Sequence, residues 1–162
     1  LWAANEYENL ISFCNLMLSK FPTDYLAFYY RGLAHEKLSE LDLAIEDFNT
    51  SERFLFRAQR QSFLKEYFTK VPIHISRVYR KKQDLEKALE YADRAVQADN
   101  KETAGLIWRA SLKKDMEDLF GASEDLNEAL RRKPSDKKLK KMRDVLTYHI
   151  IQEQRRVPDG QN

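Results

Sequence analysis

Three stretches of the chain lie over one another in register. Leu41–Phe48, Leu85–Ala92 and Leu119–Leu126 each begin on an apolar residue. Each has an alanine three places later (Ala44, Ala88, Ala122) and an apolar residue four places after that. A weaker copy runs through Tyr7, Leu10 and Cys14; Leu10 to Ala44 and Ala88 to Ala122 are both 34 residues. A fixed period in the thirties is the mark of stacked helical hairpins. One such hairpin is amphipathic but cannot bury its apolar side alone, so neighbours must stack. The chain is therefore expected to be all-α, a solenoid of antiparallel helix pairs.

Composition agrees with this. Hydrophobic residues make up 43% of the 162 positions and charged residues 33%, which suits amphipathic helices with wet outer faces. With only 4 Gly and 4 Pro, the punctuation of a β-rich fold is missing. The single cysteine, Cys14, excludes an internal disulfide and fits the cytoplasm or another reducing compartment. It sits at a small-residue packing position, so it reads as core and not as a nucleophile. No apolar run approaches the ~20 residues needed to span a bilayer, so no membrane role is expected. The chain opens in mid-repeat, which is expected of a fragment of a larger repeat protein.

The residues of the second unit carry a resemblance. Read from Tyr25, it offers Phe28 at position 4, Arg31-Gly32 at 7 and 8, His35 at 11, Ala44 at 20 and Phe48 at 24. Pro22 and Pro134 close the first and fourth units at position 32; Ala95 and Ala129 fill position 27; Tyr79 fills position 11 of the third. This pattern resembles the tetratricopeptide repeat. The resemblance implies a right-handed α-solenoid with four units, at residues 1–24 (truncated), 25–58, 69–102 and 103–136. A capping helix would follow at 135–156, all within one helical-repeat domain 1–156, with a frayed tail at 157–162. The departures are His35 and Lys113 in place of the position-11 aromatic, and Phe56 and Asn100 in place of the position-32 proline. Small residues at 8, 20 and 27 let paired helices approach, and large apolar residues fill the space around them. Asp24, Asp84, Ser135 and Asp136 read as helix N-caps.

Ala44 to Ala88 is 44 residues, ten more than one period. The excess falls in residues 59–68, close to three helical turns (about 10.8 residues). It is expected to extend the second helix of unit two or to add a short helix. Phe63, Tyr67 and Phe68 would then be either satellite core or a second binding patch.

Catalytic chemistry finds no foothold. His35, His74 and His149 lack carboxylate or cysteine partners at metal-ligand spacing, and no nucleophile elbow, P-loop, H-E-x-x-H or C-x-x-C is present. No catalytic residue, metal site or cofactor is expected, and an interaction role is.

In tetratricopeptide-like solenoids the first helix of each pair lines a concave groove through positions 2, 5, 9, 12 and 13. Carried over, the resemblance implies a peptide-binding groove of Leu26, Tyr29, Leu33, Lys70, Ile73, Arg77, Arg80, Lys81, Ile107, Lys114, Lys138 and Lys141. Val145, Tyr148 and His149 continue it on the last helix. Such a lining is aromatic at one end and basic at the other, and suits an acidic or phosphorylated peptide with apolar anchors. The family's clamp for chaperone C-terminal tails needs Lys, Asn and Arg where this chain has Tyr29, Leu33, His74, Ala104 and Trp108, so that partner is not expected.

Two other readings stand beside this one. The truncated first unit, with Leu1, Trp2 and Tyr7, could stack on another copy or on further repeats, giving a homo-oligomer. The basic end, with ten Lys/Arg against four Asp/Glu over residues 131–162, could bind nucleic acid. The second is the weaker, because Tyr148 falls on the presumed inner stripe and no aromatic platform interrupts the lysines.

Overall fold

The computed structural model describes residues 2–58, 65–98 and 101–156. They form eight α-helices and, among the described residues, no strand. The helices are α1 (Trp2–Lys20), α2 (Tyr25–Lys37), α3 (Leu41–Arg57), α4 (Lys65–Lys81), α5 (Leu85–Ala98), α6 (Ala104–Asp115), α7 (Leu119–Arg132) and α8 (Lys137–Arg156). The chain divides into two compact bodies, residues 1–99 and 100–162. In the first, α1 packs on α2, and the pairs α2/α3 and α4/α5 stack through α3 and α4. In the second, α6 pairs with α7 and α8 closes against α7.

The small residues sit where the helices approach most closely. Ala44, Ala88 and Ala122 are all fully buried, as are Ala92, Ala95 and Ala129. At Gly32 an added Cβ would lie 2.9 Å from the Phe48 ring and 3.3 Å from the Asp47 Cβ, so α2 touches α3 through bare backbone. Ser76 holds the corresponding place in the next pair, where its hydroxyl donates to the Ala88 carbonyl at 2.5 Å. Around these contacts Phe48, Leu55, Val71, Ile75 and Val78 are fully buried and form the core of the first body. Cys14 is 2% exposed, and burial raises its thiol pKa; both follow from a packing role.

Helix starts follow the caps. Asp24 accepts from Leu26 and Ala27, Asp84 from Lys87, Asp118 from Gly121, and Asp136 from Lys138 and Leu139. Each satisfies backbone donors that the first turn leaves open. The turn inside each pair passes through a left-handed residue: Ser39, Gln83 and Glu117 have φ of 63°, 64° and 64°. They occupy one register position in three repeats, and none is glycine.

The ten-residue excess differs from the expectation of a longer α3. That helix stops at Arg57 with Ala58 as its C-cap. Four of the extra residues instead lengthen α4 at its start, because Tyr67 there makes edge-on ring contacts with Tyr25 and Tyr29 at 5.9 and 5.3 Å. Pro72 consequently falls inside α4 and not in its first turn, and the nearby buried Thr69 hydroxyl has no hydrogen-bond partner among the described residues. Residues 59–64, including Phe63, lie outside the described residues.

Two stability outcomes follow from this packing. Ala88→Leu overpacks the α4/α5 contact and is expected to cost ~1–3 kcal/mol in urea unfolding; a neutral result would show the helices are further apart than this packing requires. Glu117→Gly relieves the left-handed residue and is expected to raise stability by up to ~1 kcal/mol, less what glycine adds to unfolded-chain entropy. An unchanged or lower urea midpoint would contradict that.

Candidate functional site

Two of the odd residues in the repeat pattern explain one another. In the second repeat Arg31 grips Asp47 through both carboxylate oxygens at 2.8 and 2.7 Å, and His35 Nε2 lies 3.7 Å from the same carboxylate. In the fourth, Arg109 grips Asp125 at 2.9 and 2.5 Å while Lys113 Nζ lies 3.1 Å from it. Both aspartates are buried at 4% exposure. The departures from the position-11 aromatic are thus polar side chains, an imidazole and an ammonium, set against a buried carboxylate on the facing helix. The third repeat has no such aspartate, and there Tyr79 stacks on Tyr91 at 5.6 Å. His35 also meets Glu40 at 2.5 Å and serves the fold.

The expected groove residues of the first body divide by burial. Leu26, Leu33, Ile73, Arg77 and Arg80 are half-buried. Tyr29 is a correction: at 5% exposure it belongs to the core, ringed by Tyr67, Phe48 and His74, and burial pushes its hydroxyl pKa up to about 12. Tyr67 and Phe68 are half-buried against the same core, Phe68 meeting Phe56 edge-on at 5.3 Å.

The cations of this face are largely engaged. Lys70 pairs with Glu66 at 2.8 Å. Lys81 pairs with Glu36 at 2.9 Å and also donates to its backbone carbonyl at 3.2 Å. Glu36 is 3% exposed, and His74 Nδ1 lies 3.1 Å from its other oxygen. Burial alone would raise this carboxyl; the hydrogen bonds and charges of His74 and Lys81 outweigh it and hold the pKa at about 2. A carboxyl depressed from an ordinary 4.5 contributes stability above that pH and loses it as pH falls toward 2. At ~1.4 kcal/mol per unit the effect is on the order of 3 kcal/mol. Glu36→Gln is therefore expected to be less stable at pH 7 and to show a flatter loss of urea stability between pH 5 and 2. Parallel profiles for the two proteins would remove Glu36 from that role.

The second body holds a cleft of ≈ 480 Å³. Its apolar wall is Ala110 from α6, Leu126 from α7, and Met142, Val145 and Leu146 from α8. Around it stand Ser111, Lys114, Lys138, Lys141 and His149. Three expected groove residues, Lys114, Lys138 and Lys141, are thus brought together and are exposed. Ile107, one turn before Ser111, is half-buried and outside the lining. No carboxylate among the described residues pairs with the three lysine ammonium groups, in contrast to Lys81, Lys113 and Lys133, each with its acid. His149, expected to continue the groove on the last helix, is exposed at the cleft edge. Of this apolar wall only Val145 was expected to face the groove; Met142 and Leu146 gave no signal beyond their helical spacing.

Among the described residues no group of three His, Cys, Asp or Glu side chains could hold a metal ion. No helix among them is long and apolar enough to cross a membrane.

Comparison with known proteins places the fold. Residues 73–102 match the family model of the tetratricopeptide repeat. No curated protein matches the sequence. Among solved structures, the chain is similar to the first TPR of Spaghetti (RPAP3) bound to the HSP90 peptide SRMEEVD, at 15% identity and TM-score 0.63, covering 79% of this chain and 96% of that one. The Sgt2 TPR domain from Aspergillus fumigatus aligns at 17% identity and TM-score 0.66, over 85% and 86%. Cut9 with Hcn1, of the APC/C, aligns at 16% and TM-score 0.69, over 83% of this chain and 26% of that one. The fold is that of a tetratricopeptide solenoid.

Proposed function

We propose that this tetratricopeptide-type solenoid is a non-enzymatic interaction scaffold, and that it holds an acidic segment of a partner protein in the cleft of its second body. The observation that carries the reading is the pairing of an apolar wall with three lysines that no carboxylate among the described residues answers. Burying an apolar anchor supplies affinity, and ammonium groups beside it select carboxylate or phosphate. The RPAP3 domain of similar fold is bound to a peptide rich in acidic residues, SRMEEVD. This chain would do so differently, because Tyr29, Leu33, His74, Ala104 and Trp108 stand where the chaperone-tail clamp needs its ligands.

The basic residues of the first body are the less suited site, since Lys70 and Lys81 already have acids. A second reading, self-association, rests on α1, where Phe13 and Leu16 are 59% and 55% exposed.

A pull-down from nuclease-treated lysate separates these readings. Lys138→Glu with Lys141→Glu is expected to lose partners that wild type and Lys70→Glu both keep, Lys70 being an exposed first-body groove lysine paired only with the exposed Glu66, and the lost proteins should share an acidic segment. Loss only with the Lys70 variant moves the site to the first body. Partners kept by both variants, with copies of the chain itself among them, favour α1.

A further inference from the structure

Helix α8 bears two concavities, not one. Beside the cleft against α6 and α7 lies an open trough of ≈ 580 Å³ lined by Lys137, Lys140, Lys141, Asp144, Val145 and Tyr148. The two share Lys141 and Val145, so Val145 is the ridge between them. Val145 is 50% exposed and Tyr148 61%. Spacings of three and four residues bring Lys141, Val145 and Tyr148 onto one helix face.

This exposed apolar face is not a place for another repeat to stack. Within a repeat, the first helix meets its partner through positions 4, 7, 8 and 11. Continued onto α8 those positions are Lys140, Arg143, Asp144 and Thr147, all polar. Arg143 and Asp144 pair with each other at 2.6 Å, and Thr147 donates to the Arg143 carbonyl at 2.9 Å. Two of the exposed apolar side chains of α8, Val145 and Tyr148, are instead at groove positions 9 and 12, among lysines. Tyr148, which the register set beside Lys138 and Lys141, is exposed among the lysines of the trough.

Resting on the acidic-peptide reading above, we infer that the occupant carries two bulky apolar side chains with at least one carboxylate between them. One apolar side chain enters the cleft against Met142 and Leu146, the other covers Tyr148, and the carboxylate meets Lys141 at the ridge. Two anchors on either side of a fixed charge set the register of the peptide, which one pocket with surrounding lysines would not.

The test is selection of random twelve-residue peptides on the full chain, with Val145→Asp as counter-target. Val145 is half exposed, so the variant should keep its helical circular dichroism. Peptides kept by wild type and rejected by the variant are expected to share two bulky apolar residues bracketing Asp or Glu. Changing either apolar residue to Ala should weaken binding at least tenfold. Tyr148→Ala should cost a similar factor with the complete peptide and almost nothing once the second anchor is gone. A one-anchor consensus, or an equal effect of Tyr148→Ala on both peptides, overturns the two-anchor geometry while leaving acidic-peptide binding in place. If no peptide depends on Val145, or a twelve-nucleotide oligothymidine binds more tightly than every selected peptide, both readings fall.

Discussion

A large side chain can seat directly on the backbone of a facing helix only where that helix carries almost nothing beyond Cα. Gly32 against Phe48 is that contact in the second repeat, and Ser76 hydrogen-bonded to the Ala88 carbonyl is its counterpart in the third. Once this approach is set, the rotation of each first helix about its own axis is set with it. Positions 7 and 11 must then face the partner helix, while position 5 can still turn into the core, as Tyr29 does against Phe48. Which residues hold a pair together follows from where a side chain is missing.

The facing positions act as coupled sets. A buried aspartate at position 23 is gripped by an arginine at 7 and accompanied by a polar nitrogen side chain at 11, as in Arg31/His35/Asp47 and Arg109/Lys113/Asp125. A tyrosine at 23 is met by a tyrosine at 11 and an apolar residue at 7, as in Ile75/Tyr79/Tyr91. Breaking one partner would strand a buried charge, which costs far more than the intact pair contributes. This is why the repeats can depart from the family pattern together but not one residue at a time.

The helix pairs were legible because burial acts on period: the small residues at 20 and 27 and the N-cap aspartates announce themselves in one dimension. The aspartate sets were readable in principle, since Arg31 to Asp47 and Arg109 to Asp125 have the same spacing of 16, but an exposed-looking Arg and Asp carry no hydrophobic signal. The early start of α4 was not legible, because it depends on Tyr67 reaching rings that belong to another helix. At the candidate site, register placed Lys114, Lys138 and Lys141 on one face correctly enough for them to converge. It could not show that Tyr29 turns inward, or that Glu36 occupies Lys81, since both depend on neighbours about 40 residues away, as Glu36 and His74 are (38).

The unanswered lysines of α8 have a consequence for how such a chain can change over time. Lys81, Arg31 and Arg109 are tied to buried acids, so replacing any of them disturbs the fold before it alters recognition. Lys138 and Lys141 have no such structural duty, and nor does the exposed ring of Tyr148. Substitutions there meet no penalty from the interior. On the proposed reading of the cleft, the last helix can therefore drift toward new partners, reversing charge or exchanging anchors, without disturbing the repeats: a lineage would diversify what it recognises by rewriting a few positions of one helix.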